Sequence, residues 1–319
     1  MFMKNSAIGT LPSRFKRNRL LIVGCGDIGQ RLLRQLPKNT QAIVLSSSTI
    51  AKPELKQFPI KIIQGNLDQV KTLKRLTSLA PKVIHLAPPA PLGLIDKRTQ
   101  NLIRTLRKGA STRHIIYGST SGVYGDCAGK WIDETQTVAP STDRAKRRVS
   151  AEQQLRQLGK QSNIKISILR IPGIYSLDRS EHSIKERLLL QKPVLIAEDD
   201  VYTNHIHADD LANIFWHSLF KAKGQRIYHA SDDTDLKMAD YFDLAAEIFN
   251  IPKTIRISRD NAKKILPALQ MSFMSESRRL KNNRLKQELR VKLRFPTVKD
   301  GLEKTHPILH EQANFSPFN

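Results

Sequence analysis

Residues 20–29 read Leu-Leu-Ile-Val-Gly24-Cys-Gly26-Asp27-Ile28-Gly29. Four apolar residues run into three glycines spaced G-x-G-x-x-G, and Ile28, Leu32, Leu33 and Leu36 follow as an apolar stripe at helical spacing. The pattern predicts a strand, a tight turn and the opening of a helix. In such a unit the first glycine permits the turn, the second lets backbone approach a pyrophosphate, and the third lets helix pack on strand. The helix N-terminus offers its unpaired N–H groups to phosphate oxygens. A dinucleotide site lined by Gly24, Gly26, Asp27, Ile28 and Gly29 is therefore expected. The bland alternative is a glycine-rich turn with no ligand; strand, spacing and helix together speak against it.

An acidic residue at the end of the second strand would bind the adenosine ribose hydroxyls and select NAD. The chain has Ser46, Ser47 and Ser48 there, with Lys52 close in sequence. Ser46 is the position expected to meet the ribose, and serines leave room for a 2′-phosphate. The expected cofactor is NADP or NAD, with NADP favoured. The two cysteines, Cys25 and Cys127, form no CxxC pair and no cluster with zinc-ligand spacing, so no metal site is expected.

A glycine turn of this kind needs a parallel sheet to hold it. Apolar runs at 20–23, 42–45, 60–63, 83–86, 114–117 and 166–169 read as strands, and amphipathic segments separate them. One helix ends at Pro37. A second carries Thr99, Leu102, Ile103 and Leu106 up to Gly109. A third runs through Ala145, Val149, Glu152, Leu155 and Leu158 and is expected to stop at Gly159. The fold class this predicts is α/β: a doubly wound parallel sheet of the NAD(P)-binding Rossmann type with a smaller C-terminal substrate lobe. Beyond about residue 175 the alternation weakens. Asp209 or Asp210 is expected to cap a helix through Leu219, Ile227 and Tyr228 suggest a strand, and Met238 to Ile248 a helix ended by Asn250. The expected division is a basic arm over 1–18, a dinucleotide-binding domain over 19–175, and a smaller α/β lobe over 176–319 partly interleaved with it.

Five further segments stand in order: Gly65-Asn66-Leu67, His85-Leu86-Ala87-Pro88, Tyr117-Gly-Ser-Thr120-Ser121-Gly-Val-Tyr124-Gly125, Leu169-Arg-Ile-Pro172-Gly-Ile-Tyr175, and Ile206-His207-Ala-Asp209-Asp210-Leu-Ala212. With the glycine turn they make residues 19–302 resemble the extended short-chain dehydrogenase/reductase family of NAD-dependent epimerase/dehydratase type, in its atypical branch. The resemblance implies that Asn66 and Leu67 lie along the adenine, and that Leu86, Ala87 and Pro88 turn near the nicotinamide-side ribose. It implies that Pro172 contacts the nicotinamide amide. Thr120 would hydrogen-bond the reacting oxygen, with Ser121 beside it toward the substrate. A small-molecule substrate and a homodimer through the helices beside the fourth and fifth strands are implied as well. The segment Ser275 to Leu285, with Arg278, Arg279 and Arg284, resembles the tail of the atypical bacterial members.

One position departs from that family. Its tyrosine and lysine form YxxxK on the helix after the fifth strand, with a glutamate four residues past the lysine. Anchored on Glu152, the pair falls on Arg144 and Arg148. A tyrosine beside a cationic lysine can move a proton near neutral pH. An arginine stays protonated and cannot. Arg144 then reads as a contact for an anionic substrate group and Arg148 as a ribose donor, or both as a basic helix face. Tyr124 and Tyr175 are the phenols that would have to stand in. Nucleotide-sugar enzymes of the family carry an arginine just before the His207–Asp209 motif; Thr203 stands there, and His205 is the neighbouring candidate for an anion. His207 and Asp209 themselves read as a packed histidine and a helix cap. Two functions are compatible with this pattern: an NAD(P)-dependent oxidoreductase or epimerase/dehydratase, and a non-catalytic NAD(P)-binding sensor or partner protein.

Lys and Arg number 53 against 29 Asp and Glu, a formal net charge of +24. The cations are spread along the chain and aromatics are not interleaved with them, so a nucleic-acid partner is the weaker reading and steering of a phosphate-rich ligand the stronger. No apolar run reaches the roughly 18 residues of a membrane span. Lys4, Arg14, Lys16 and Arg17 lie in an amino-terminal stretch without a secretory apolar region. With few cysteines, a cytoplasmic location is expected.

Overall fold

A computed structural model of the chain describes residues 19–48, 53–179 and 183–304. The basic arm expected over 1–18, Lys52, and the last part of the expected lobe lie outside the described residues. Seven strands build the main sheet: β1 (Arg19–Val23), β2 (Gln41–Ser46), β3 (Lys61–Gln64), β4 (Lys82–His85), β5 (His114–Thr120), β6 (Lys165–Ile171) and β7 (Arg226–His229). Their order is β7-β6-β5-β4-β1-β2-β3, and each neighbouring pair is parallel. The chain winds outward from β1 to β3, returns beside β1 as β4, and winds outward again. The C-terminal ends of β1 and β4 therefore part into a crevice where the winding reverses.

Strands covered on both faces read as unbroken apolar runs. In β1, Leu20 and Ile22 join the core that holds Leu211, Ile214 and Phe215, while Leu21 and Val23 join the core on the other face with Leu102 and Leu155. The helices that supply these faces are α1 (Asp27–Gln35), α2 (Lys97–Leu106), α3 (Asp143–Lys160) and α4 (Ala208–Lys221). A further helix, α5 (Met238–Phe249), belongs to the lobe, where Tyr241, Phe242 and Phe249 pack with Leu188, Val194, Val201 and Leu302. It ends at Asn250 in the left-handed conformation, φ 52°.

Three expectations change. Gly159 does not stop α3, which continues one residue further to Lys160, with the Gln225 side chain lying over the glycine. The cap of α4 is neither Asp209 nor Asp210 but His207, whose imidazole Nδ1 accepts from the Asp209 N–H at 3.2 Å. The strand at 227–228 belongs to the main sheet rather than the lobe: β7 pairs with β6, and α4 lies against α1 with Leu32 and Leu33 in the same core as its own apolar face. A single cut at 175 thus separates elements that share one core. No helix among the described residues is long and apolar enough to cross a membrane.

Candidate functional site

Each glycine of the turn has its own physical reason. Gly24 has φ +87°, and a Cβ there would meet the Ala87 backbone nitrogen at 2.5 Å. The close approach arises because the Val23 carbonyl accepts from both the Leu86 and Ala87 N–H groups, at 2.8 and 3.0 Å, locking the exit of β4 to the glycine turn. At Gly29 a Cβ would touch Cys25 Sγ at 3.0 Å, the packing contact between helix and turn. Gly26 faces open space, with no heavy atom within 4 Å of where a Cβ would stand. It is also the N-cap of α1 and supplies no side-chain cap, so the first-turn N–H groups are left for an anion. Bare backbone, an uncapped helix start and room in front of both fit a pyrophosphate.

A cavity of about 340 Å³ opens at this switch point. It brings Gly24, Gly26, Asp27, Ile28 and Gly29 together with Leu86, Thr120, Arg148 and Pro172. Ser46, Asn66, Leu67, Ala87 and Pro88 stand outside its wall but on the same C-terminal edge of the sheet. Ser46 ends β2 half-buried, and its carbonyl accepts from the Gly65 N–H at 2.9 Å. Asn66 Oδ1 accepts from the Asp68 N–H at 2.9 Å, and the Leu67 carbonyl from Asn101 Nδ2 at 2.8 Å. Pro88 is exposed, its carbonyl taking Arg98 Nη1 at 3.2 Å.

Thr120 closes β5 and caps a single 3-10 turn, Ser121–Tyr124. Its Oγ1 accepts from the Gly122 N–H at 3.2 Å, which leaves its hydroxyl hydrogen to donate into the cleft. Arg148 enters from α3. Its Nη1 donates to the Gly118 carbonyl at 2.7 Å and to the Tyr117 hydroxyl at 3.0 Å, so β5 holds the guanidinium in place. Burial pushes the Tyr117 phenol up to about 12 against the opposing pull of Arg148. Arg144, one turn earlier, is exposed and lies over the Phe273 ring at 4.9 Å. It is not in the cleft wall, and the anion-contact expectation for it does not fit that position.

The two substitute phenols are committed elsewhere. The Tyr124 hydroxyl meets His229 Nε2 at 2.5 Å, and Tyr175 donates to the Thr297 carbonyl at 3.1 Å. Six tyrosines occur in the chain, all among the described residues, and none lines the cleft. His205 does not serve as an anion contact either. It is 8% exposed, burial drives its pKa down to about 3, and its Nε2 is bonded to Thr203 Oγ1 at 2.9 Å. Ser121 is buried directly after Thr120 and is absent from the cleft wall.

Other residues escaped the sequence reading. Glu152 served there only as an anchor for register. In the structure it accepts from Ser119 Oγ at 2.6 Å and from Arg170 Nε and Nη2 at 3.1 and 2.7 Å. Both charges are almost fully buried, and Arg170 also lies over the Tyr124 ring at 4.6 Å. The signal was an arginine inside the apolar run of β6 and a glutamate on the apolar face of α3. Arg31 is a second buried guanidinium, bonded to Asp27 at 2.8 Å and to Asp178 and Asp209 at 2.5 Å each. Arg179 also lines the cleft.

The sequence pattern of the NAD dependent epimerase/dehydratase family matches residues 20–230. No curated protein sequence matches the chain. Among solved structures, a conserved protein of unknown function from Silicibacter pomeroyi is 24% identical, with 93% of this chain and 99% of that one covered and a TM-score of 0.74. UDP-glucose 4-epimerase with UDP-glucose from Thermotoga maritima is 17% identical, covers 92% of this chain and 99% of its own, and has a TM-score of 0.74. The dTDP-glucose 4,6-dehydratase of Bacillus anthracis, in complex with NAD, is 14% identical over 93% and 97%, with a TM-score of 0.73. At these identities the likeness is one of fold.

Proposed function

Because the chain belongs to the NAD dependent epimerase/dehydratase family, we propose that it binds NADP or NAD across the crevice between β1 and β4 and acts there as an oxidoreductase or epimerase/dehydratase on a small-molecule substrate. The observation that carries this reading is one cleft holding the open face of Gly26, the hydroxyl of Thr120 and the cation of Arg148. The glycine turn and the first turn of α1 hold the pyrophosphate, and Leu86 and Pro172 flank the nicotinamide. The serines from Ser46 onward put no carboxylate against a 2′-phosphate, which favours NADP. A bound nicotinamide supplies hydride chemistry. Arg148 donates to ribose hydroxyls and stabilises negative charge on the reacting oxygen. Thr120 donates its hydroxyl hydrogen to that same oxygen.

No histidine, cysteine or tyrosine is among the described residues of the cleft wall, so the proton balancing that oxygen comes from water or from the substrate. The missing phenol favours a second reading, a protein that holds the dinucleotide without turnover. Fluorescence titration with NADPH and NADH tests what the two readings share: tight binding is expected, NADPH the tighter, and failure to bind either removes both. Hydride exchange from labelled cofactor, across carbonyl compounds and nucleotide sugars, separates them. Exchange supports the enzyme; binding with no exchange supports the holding protein.

A further inference from the structure

Asp27 occupies an awkward place for a carboxylate. It lies in the first turn of α1, beside the open face of Gly26, where its charge would repel a pyrophosphate. Both of its oxygens are engaged: Oδ1 accepts from Arg31 Nε at 2.8 Å and Oδ2 from Arg179 Nη1 at 2.6 Å. The two arginines differ in kind. Arg31 has only 5% of its side chain exposed and also binds Asp178 and Asp209, so three carboxylates hold it in the protein. Arg179 is 32% exposed, lines the cleft, and comes from a loop 152 residues away in sequence.

We propose that Arg179 is a phosphate-binding residue of the dinucleotide site, exchanging the Asp27 carboxylate for the pyrophosphate when cofactor binds. The proposal rests on the cofactor reading above. The exchange is favourable because a partly exposed ion pair is weak, whereas phosphate offers a guanidinium two well-placed oxygens. Asp27 keeps Arg31 throughout. Asp178, immediately before Arg179, stays pinned to Arg31 and keeps the loop within reach. One residue of the lobe thereby reads whether a dinucleotide phosphate is present.

The test is NADPH affinity by fluorescence for the full chain and its Arg179→Gln, Arg179→Lys, Asp27→Asn and Asp27→Asn/Arg179→Gln variants, at low and high salt. Arg179→Gln is expected to weaken binding by about tenfold or more and to flatten the salt dependence, and Arg179→Lys to recover most of the loss. A merely screening role predicts that the double variant binds as tightly as Asp27→Asn; a direct phosphate contact predicts that it binds about tenfold more weakly. Equal affinity of wild type and Arg179→Gln, or of the double variant and Asp27→Asn, overturns the proposal. If wild type itself binds no dinucleotide, the cofactor reading has failed and this assignment goes with it.

Discussion

A methyl group at Gly26 would meet nothing in the protein, whereas at Gly24 it would strike the Ala87 backbone from a left-handed φ. Gly26→Ala is therefore expected to leave the thermal midpoint unchanged and to weaken NADPH binding by at least about tenfold, since the methyl occupies the phosphate's space. Gly24→Ala should destabilise the fold by about 1–2 kcal/mol from the left-handed backbone alone, with the collision added. Melts with and without cofactor measure both, and a Gly26→Ala protein that binds like wild type would put the pyrophosphate elsewhere. Arg148→Ala is expected to weaken NADPH binding without unfolding the protein, whereas Arg144→Ala, changed outside the cleft, should leave affinity alone. The glycines were legible in sequence because their demands are local. His205 was not, because its enclosure depends on Thr203 and on a Tyr241 ring 4.3 Å away. Arg179 was invisible for the same reason: its meaning lies in a carboxylate on another element.

Among the elements, β6 and α3 are joined by a buried charge pair, so removing one partner strands the other. Arg170→Met is expected to cost about 3–5 kcal/mol in urea unfolding, and Glu152→Leu/Arg170→Met much less than the sum of its single changes. Additive costs would show that the two side chains do not act as a pair. Buried histidines tie several elements to pH. Burial lowers His85, His205 and His229 to about 3 and His114 and His207 to about 4. In the unfolded chain these groups take up protons below about pH 6.5. From there down to about 3–4 the unfolded state binds more protons than the native one, so stability falls as pH falls across that window. A melting temperature that stays flat from pH 6.5 to 4 would contradict this. The strands were legible to within a residue or two at most ends, because the runs are apolar and, outside the edge strand β3 where Ile62 is exposed, most are covered on both faces. The place of β7 was not, because it is decided by pairing with β6, far away in sequence, and the His207 cap and the extra residue of α3 differ from expectation by only one or two positions.

For the whole molecule, the expected two-fold contact through α2 and α3 meets an electrostatic obstacle. Arg104, Arg107 and Lys108 at the end of α2, and Arg156 and Lys160 on α3, are all exposed. Two copies joined on this face would set like charges against each other. The chain is expected to run as a monomer in low salt on a sizing column, with any pairing through this face strengthening as salt rises; a salt-insensitive dimer would contradict it. The charge total was legible at once, but its distribution over these two helices required the fold.

The return of the chain from the lobe to the sheet also constrains how the polypeptide can be divided. A fragment ending at residue 175 would lose β7 and α4, leaving one ladder edge of β6 open and uncovering Leu20, Ile22 and Ile116 where Leu211, Ile214 and Phe215 had lain. Such a half would be sticky rather than a small working nucleotide binder. Supplied together as two polypeptides, the halves would be drawn to each other by the same apolar faces that make each insoluble alone.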